Sequence, residues 1–203
     1  MTLFQLILLV VSLIFAYKFF EQVLKISQNT PKESDDEIMK RQQKSHLQML
    51  QNRFNDLILR ANDSVNEQNY ENAKKSLLEA VKIRPKNEDV LMKLASILLI
   101  SQEYEEAIQY FRKVININNH NDDAYKGLAS SLANINEYEE ASEHYKRALT
   151  INSNNEITYY NYANLLQKME KFKEARHHYK IALNINPEFN EAKEEYEKLE
   201  SKV

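Results

Sequence analysis

The sequence predicts an all-α chain: an α-solenoid of four stacked helical hairpins with a C-terminal capping helix, preceded by a single transmembrane helix. Three observations predict it. First, one phrase returns at a fixed interval: YENAKKSLLEAVKIR from Tyr70, YEEAIQYFRKVININ from Tyr104, YEEASEHYKRALTIN from Tyr138 and FKEARHHYKIALNIN from Phe172, each 34 residues after the last. Second, 203 residues contain one glycine and three prolines, too few for the turns and bends of a sheet fold, whereas Ala, Leu, Glu, Lys and Gln abound. Third, Leu3 to Phe20 is apolar apart from Gln5, Ser12 and Lys18.

That apolar stretch defines the first segment, residues 1–25. At about 1.5 Å per residue it spans roughly 27 Å, close to the ~30 Å hydrocarbon core of a bilayer. Lys18 can snorkel to the interface, and Tyr17 beside it suits headgroup depth. A cleaved signal sequence has basic residues before its apolar core and small residues after it. Here no Lys or Arg precedes Leu3, and Ala16 is followed by Tyr17, Lys18, Phe19 and Phe20. A buried helix of a soluble protein is the remaining alternative. Lys18, Lys25, Lys32, Lys40 and Arg41 all follow the span, so the positive-inside rule puts the rest of the chain in the cytoplasm.

Residues 26–53 read as a juxtamembrane linker and a stalk helix. Ile26 to Ser34 is polar and carries Pro31, which disfavours helix at Thr30. Ser34 and Glu37 have capping-box spacing, with Asp35 and Asp36 suiting the positive end of a helix dipole. The helix that follows has no breaker. Its first half is polar nearly all round, leaving disorder over residues 26–45 as the alternative, and apolar spacing sets in at Leu47, Leu50, Phe54 and Leu57.

Residues 54–189 divide into four frames, 54–87, 88–121, 122–155 and 156–189, each with two amphipathic helices. Ala61, Ala95, Ala129 and Ala163 share a column of the first helix; Ala73, Ala107, Ala141 and Ala175 share one of the second. Small facing residues let helix axes approach to the short end of the usual range of about 8–10 Å. Ala80, Val114, Ala148 and Ala182 do the same toward the next frame. Tyr70, Tyr104, Tyr138 and Phe172 wedge the turn within each hairpin, and Leu77, Phe111, Tyr145 and Tyr179 point into the seam. No hairpin can cover its own apolar flank, so one interface is written once per frame and the units stack. Between frames the joints are asparagine-rich: Asn87, Asn121 and Asn155 stand where N-caps are needed, ahead of Glu88, Asp122 and Glu156. Residues 190–203, rich in Glu and Lys with sparse apolar residues (Ala192, Tyr196, Leu199), suit a capping helix.

The 34-residue period with these alanine and tyrosine columns, closed by Pro85 and Pro187 in two copies, closely resembles the tetratricopeptide repeat. Departures are mild: Val114 stands where alanine is usual, and Asn119 and Ser153 where proline is. The resemblance implies a right-handed superhelix whose first helices line a concave groove for a peptide or protein segment. The protein-binding residues it implies are Asn62, Met92, Ser96, Lys126, Ser130, Tyr160 and Asn164, within a wider set of Asn55, Ile58, Asp89, Asp123 and Ile157. Repeat proteins that hold a chaperone's C-terminal carboxylate use two Asn, two Lys and an Arg. The corresponding positions here are Ile58, Asn62, Lys93, Asp123 and Gly127, of which only Asn62 agrees.

Other chemistry is missing from the sequence. A net charge of −3 shows no basic excess for nucleic acid, and the absence of cysteine excludes disulfides, thiolate metal sites and a cysteine nucleophile. One glycine, Gly127, cannot build a phosphate loop or a nucleophile elbow, and its place within a helix reads as close packing. His177 and His178 point about 100° apart on a helix and cannot chelate one ion together; with His144, one frame back from His178, they read as ordinary exposed histidines. The expectation is a non-enzymatic, membrane-tethered scaffold that binds a protein, without cofactor or metal. A periplasmic or lumenal assembly chaperone and a self-associating structural protein are the alternatives.

Overall fold

The computed structural model of the chain describes residues 2–29 and 34–200, and every regular element among them is a helix. Contacts divide the chain into two compact units, Met1–Met49 and Leu50–Val203.

The first unit holds α1 (Leu3–Asn29) and the start of α2 (Asp35–Asn66). Over Leu3–Ile26 the mean hydropathy of α1 reaches 2.2, and none of that stretch is buried. The expected linker is therefore helical through Asn29; Pro31 and residues 30–33 lie outside the described residues. The capping box at Ser34 is formed in both directions. The Ser34 amide donates to Glu37 Oε2 at 3.0 Å, and the Glu37 amide donates to Ser34 Oγ at 3.3 Å. From residue 34 to residue 49 α2 is exposed except at half-buried Ile38.

The second unit holds the end of α2 followed by α3 (Tyr70–Ile83), α4 (Glu88–Ile100), α5 (Tyr104–Ile117), α6 (Asp122–Asn134), α7 (Tyr138–Ile151), α8 (Glu156–Lys168), α9 (Phe172–Ile185) and α10 (Asn190–Glu200). Each second helix packs on the first helix of the next repeat, and α4, α6 and α8 touch in sequence along one face. The two expected columns of small residues lie inside the packing: Ala61, Ala95, Ala129 and Ala163, with Ala73, Ala107, Ala141 and Ala175, are all essentially inaccessible to solvent. Leu77, Phe111, Tyr145 and Tyr179 are buried in the seams, each worth on the order of 1.5–3 kcal/mol as transferred apolar surface. Gly127 is a close-approach site, since a Cβ there would stand 2.3 Å from Phe111 Cζ.

Both ends of each hairpin are closed by side chains and backbone that the period repeats. Asn87, Asn121 and Asn155 accept from the amides of Val90, Ala124 and Thr158 at 3.0, 2.8 and 3.0 Å. Asn69 caps α3 in the same way, at 3.2 Å from the Asn72 amide. The turns within the first, second and fourth hairpins are Schellman motifs; in the second the Glu103 amide donates to Leu98 O at 2.8 Å and the Gln102 amide to Leu99 O at 3.1 Å. The third shows the longer bond, from the Glu137 amide to Leu132 O at 3.0 Å. Left-handed backbone is needed at that point, and it falls on Gln68, Gln102, Asn136 and Glu170, with φ of 57°, 63°, 66° and 60°. The scarcity of glycine thus leaves positive φ to be borne by larger residues.

Two further columns mark the ends of the stack. Val90, Ala124, Thr158 and Ala192 are buried on the side facing the preceding repeat, as are Ile97, Ser131, Leu165 and Leu199. In the first repeat the same columns hold exposed Asp56 and Asp63. At the other end, α10 continues both buried columns in register and so reads as the first helix of a fifth repeat. Where the other repeats carry alanine toward their own second helix, α10 carries exposed Glu197.

The histidines depart from expectation. His144 and His178 are half-buried rather than exposed, because the column that carries them lies over Tyr125 and Tyr159, with ring centroids 5.8 Å apart in both repeats. His177 is exposed.

Candidate functional site

The face formed by α2, α4, α6 and α8 carries two hollows of different chemistry. Between α2 and α4 lies one of about 560 Å³, lined by Ala61, Asn62, Val65, Asn66, Leu77, Met92, Lys93, Ser96, Ile97 and Ile100. Its lining is mostly aliphatic, and Val65 and Ile100 stay 39% and 54% exposed on its rim. Lys93 Nζ on α4 donates to Asn62 Oδ1 on α2 at 2.7 Å, tying the two helices beside the hollow. A smaller hollow of about 370 Å³ adjoins it through Met92 and Lys93 and reaches Phe54, Ile58 and Asp89.

The second main hollow, about 520 Å³, lies between α6 and α8 and is lined by Ser130, Ala133, Asn134, Tyr145, Asn161, Asn164, Leu165, Gln167 and Lys168. Side-chain amides dominate it. Burial pushes the phenols of Tyr145 and Tyr179 well above the ordinary tyrosine range, so both remain neutral donors. Tyr179 Oη reaches Asn164 Oδ1 and, at 2.9 Å, Gln167 Oε1. Its single proton serves one of these at a time, so the phenol holds both amides at the rim. The Asn161 side chain makes no hydrogen bond among the described residues, which leaves a donor pair and an acceptor at the hollow.

Of the seven residues expected from the sequence, Asn62, Met92 and Ser96 come together in the apolar hollow, and Ser130 and Asn164 in the polar one. Lys126 and Tyr160 line neither of these two. Lys126 is ion-paired with Asp123 in its own helix, and Tyr160 packs on Phe189 and Tyr179 with centroids 4.9 and 5.8 Å away. Among the wider set, Ile58 and Asp89 line the adjoining hollow, Asn55 is exposed and accepts from Gln51 at 2.8 Å, and Asp123 and Ile157 are exposed. Sequence reasoning missed Val65, Asn66, Ile100, Asn134, Gln167 and Lys168. Each sits three or four residues beyond a named position, one helical turn further along the same face, so ordinary helical spacing would have found them.

Among the described residues no three of His, Asp and Glu are grouped as metal ligands would be.

Comparison with known proteins bears on the architecture. Tetratricopeptide-repeat profiles match residues 64–87, 87–154 and 157–189. Comparison with curated proteins gives no match. Among solved structures, MamA superposes with a TM-score of 0.66 at 20% identity, over 72% of this chain and 80% of that one. A tetratricopeptide repeat protein from Parabacteroides merdae ATCC 43184 gives 0.64 at 21%, over 73% of this chain and 59% of its own. YrrB, described as a TPR protein with an unusual peptide-binding site, gives 0.60 at 20%, over 65% and 68%. At these identities the likeness is one of fold. With the period, the alanine columns, the profiles and the superpositions in agreement, the chain belongs to the tetratricopeptide-repeat family, as an α-solenoid that also carries an N-terminal apolar helix long enough to cross a membrane.

Proposed function

We propose that this protein is a non-enzymatic scaffold, tethered to a membrane by α1, whose first-helix face takes a segment of another protein. The observation that carries the reading is the pair of open hollows on that face, one aliphatic around Met92 and one amide-lined around Asn164. Together they offer burial for a side chain and hydrogen bonds for a main chain, the two things a peptide needs from a surface. The peptide-binding site in the description of YrrB is that protein's own, but it makes the same use of the fold reasonable here. Support for the tether comes from how α1 treats its polar groups. Ser12 Oγ donates back to Leu9 O at 2.8 Å and Gln5 Oε1 accepts from the Thr2 amide at 3.1 Å, so the hydroxyl proton and the amide oxygen both find partners within the helix. Basic residues on the C-terminal side of the span favour a cytoplasmic repeat unit. Tethering raises the local concentration of membrane-bound partners, so a weak groove suffices.

The test is site-specific photocrosslinking in membranes from Ser96 on the face and from Glu143 on α7, an exposed position. A partner captured from Ser96, not from Glu143, and lost when Met92→Asp puts a charge in the aliphatic hollow supports the reading. Equal capture from both positions, or capture indifferent to Met92→Asp, rejects it. Alkaline extraction tests the tether: release of the intact chain into the soluble fraction removes α1 from that role. Reporter fusions at Val203 read the orientation, and activity only from a reporter that works outside the cytoplasm reverses it.

A further inference from the structure

His178 sits in a slot made by α8, with its ring 4.7 Å from Tyr162 and 5.8 Å from Tyr159. Its Nδ1 is buried with no hydrogen-bond partner among the described residues. Tyr162 in turn bonds Ser142 on α7 at 3.0 Å, in a fully enclosed contact that ties the fourth repeat to the third. The imidazole is thus packed against the residue that joins two repeats, in a place that offers a proton no acceptor.

We propose that the α8–α9 pairing of the fourth repeat is an acid-sensitive clasp, opened when His178 takes up a proton. The groups around it decide the direction. From α7, Lys146 faces it; from α9, His177 and Glu174; from α8, the phenols of Tyr159 and Tyr162. Lys146 and His177 repel a second cation, and of the charged groups around it Glu174 favours one. The tyrosine faces attract a cation as well, but they offer no acceptor for a proton on Nδ1. Burial first, with His177 and Lys146 adding to it, depresses His178 to about 4. The preceding repeat provides a contrast within the same column: His144 packs on Tyr125 with its ring tilted by 30°, but its Nε2 lies 3.4 Å from Glu140 Oε1, so a proton there meets a carboxylate. Glu174, the equivalent of Glu140, makes no such bond to His178.

The unfolded or opened chain binds the proton at the ordinary histidine value, near 6.5, and the closed clasp only near 4. Stability from the neutral ring is therefore fully present above about 6.5 and is lost as the pH falls toward 4. Between pH 7.5 and 5.0 linkage gives at most about a 30-fold shift toward the open state. The inference concerns the joint alone and stands whatever the groove holds.

Hydrogen exchange of the full chain in detergent micelles at the two pH values, corrected for intrinsic rates, tests it. Amides of α8 and α9 are expected to lose protection by about ten- to thirty-fold at pH 5.0, while those of α4 and α5 do not. His178→Gln should keep its protection at pH 5.0, whereas His144→Gln should behave like the unaltered chain. Unchanged α8–α9 protection in the unaltered chain, or equal loss in His178→Gln, overturns the clasp. Should His178→Gln fail to fold, NMR titration of the five histidines in the unaltered chain decides: a His178 midpoint near 4 upholds the inference, and one at 6 or above ends it.

Discussion

Replacing Gly127 by alanine reverses the usual rule for a helix interior. In an open position the exchange gains roughly 1 kcal/mol of helix propensity. Here the new Cβ would lie 2.3, 2.4 and 2.8 Å from Phe111 Cζ, Cε1 and Cε2. Non-bonded carbons rest at about 3.5–4.0 Å, so the ring has to withdraw by more than an ångström. It has nowhere to go, because Phe111 is 1% exposed and enclosed on every side. Overpacking of this kind costs about 1–3 kcal/mol, so the net effect is a loss of up to about 2 kcal/mol after the propensity gain. For a chain of this size each kcal/mol lowers Tm by about 2–4 °C. Thermal unfolding in detergent, followed by far-UV circular dichroism, reads the change. The same substitution in a Phe111→Leu background, which restores the smaller residue that Leu77 supplies one repeat earlier, should be neutral or stabilising, and the double-mutant cycle isolates the clash. A Tm that rises on Gly127→Ala alone would refute the close approach of α5 to α6 at this point.

Two other substitutions probe elements that recur along the stack. Left-handed backbone costs an L-residue about 1–2 kcal/mol, offset in part by the greater freedom glycine loses on folding. Gln102→Gly and Glu170→Gly should accordingly stabilise by up to about 1 kcal/mol each, and Asn136→Gly by less, since asparagine tolerates that region; denaturation midpoints below that of the unaltered chain would contradict the Schellman turns. Tyr162→Phe strands the Ser142 hydroxyl in an enclosed site at a cost of about 1–3 kcal/mol. Adding Ser142→Ala should recover part of it, and strict additivity of the two losses would deny the hydrogen bond.

How much of this was legible depends on whether a residue acts within its own period. The alanine columns and the caps at Asn87, Asn121 and Asn155 could be read directly, because a fixed spacing of small or capping residues admits one physical use. Asn118 and Asn152 could not. Their carboxamides reach back to Glu88 and Asp122 at 2.9 and 3.0 Å, closing each hairpin across about thirty residues with side chains that look like loop filler. The left-handed turns escaped for a related reason: Gln68, Gln102 and Glu170 carry no local sign that the backbone there must take positive φ, as a glycine would. Burial of His144 and His178 was hidden because it needs both their own helix and the tyrosines of the one before. On the groove face the columns of Asn62, Met92, Ser96, Ser130 and Asn164 followed from the resemblance, but the contrast between an aliphatic and an amide-lined half did not. It arises from Val65, Ile97 and Ile100 at one joint and Asn134, Asn161 and Gln167 at another, positions that drift from copy to copy.

The carboxylates of Asp56 and Asp63, and Glu197 at the other limit, determine how many modules the stack admits. A copy of residues 88–121 inserted beside the original would meet only inner surfaces and lengthen the stack by one unit. Placed ahead of residue 54, the same copy would have to enclose two aspartates in the position where its neighbours keep Val90 and Ile97. Growth by added repeats is therefore open in the middle and opposed at the rims.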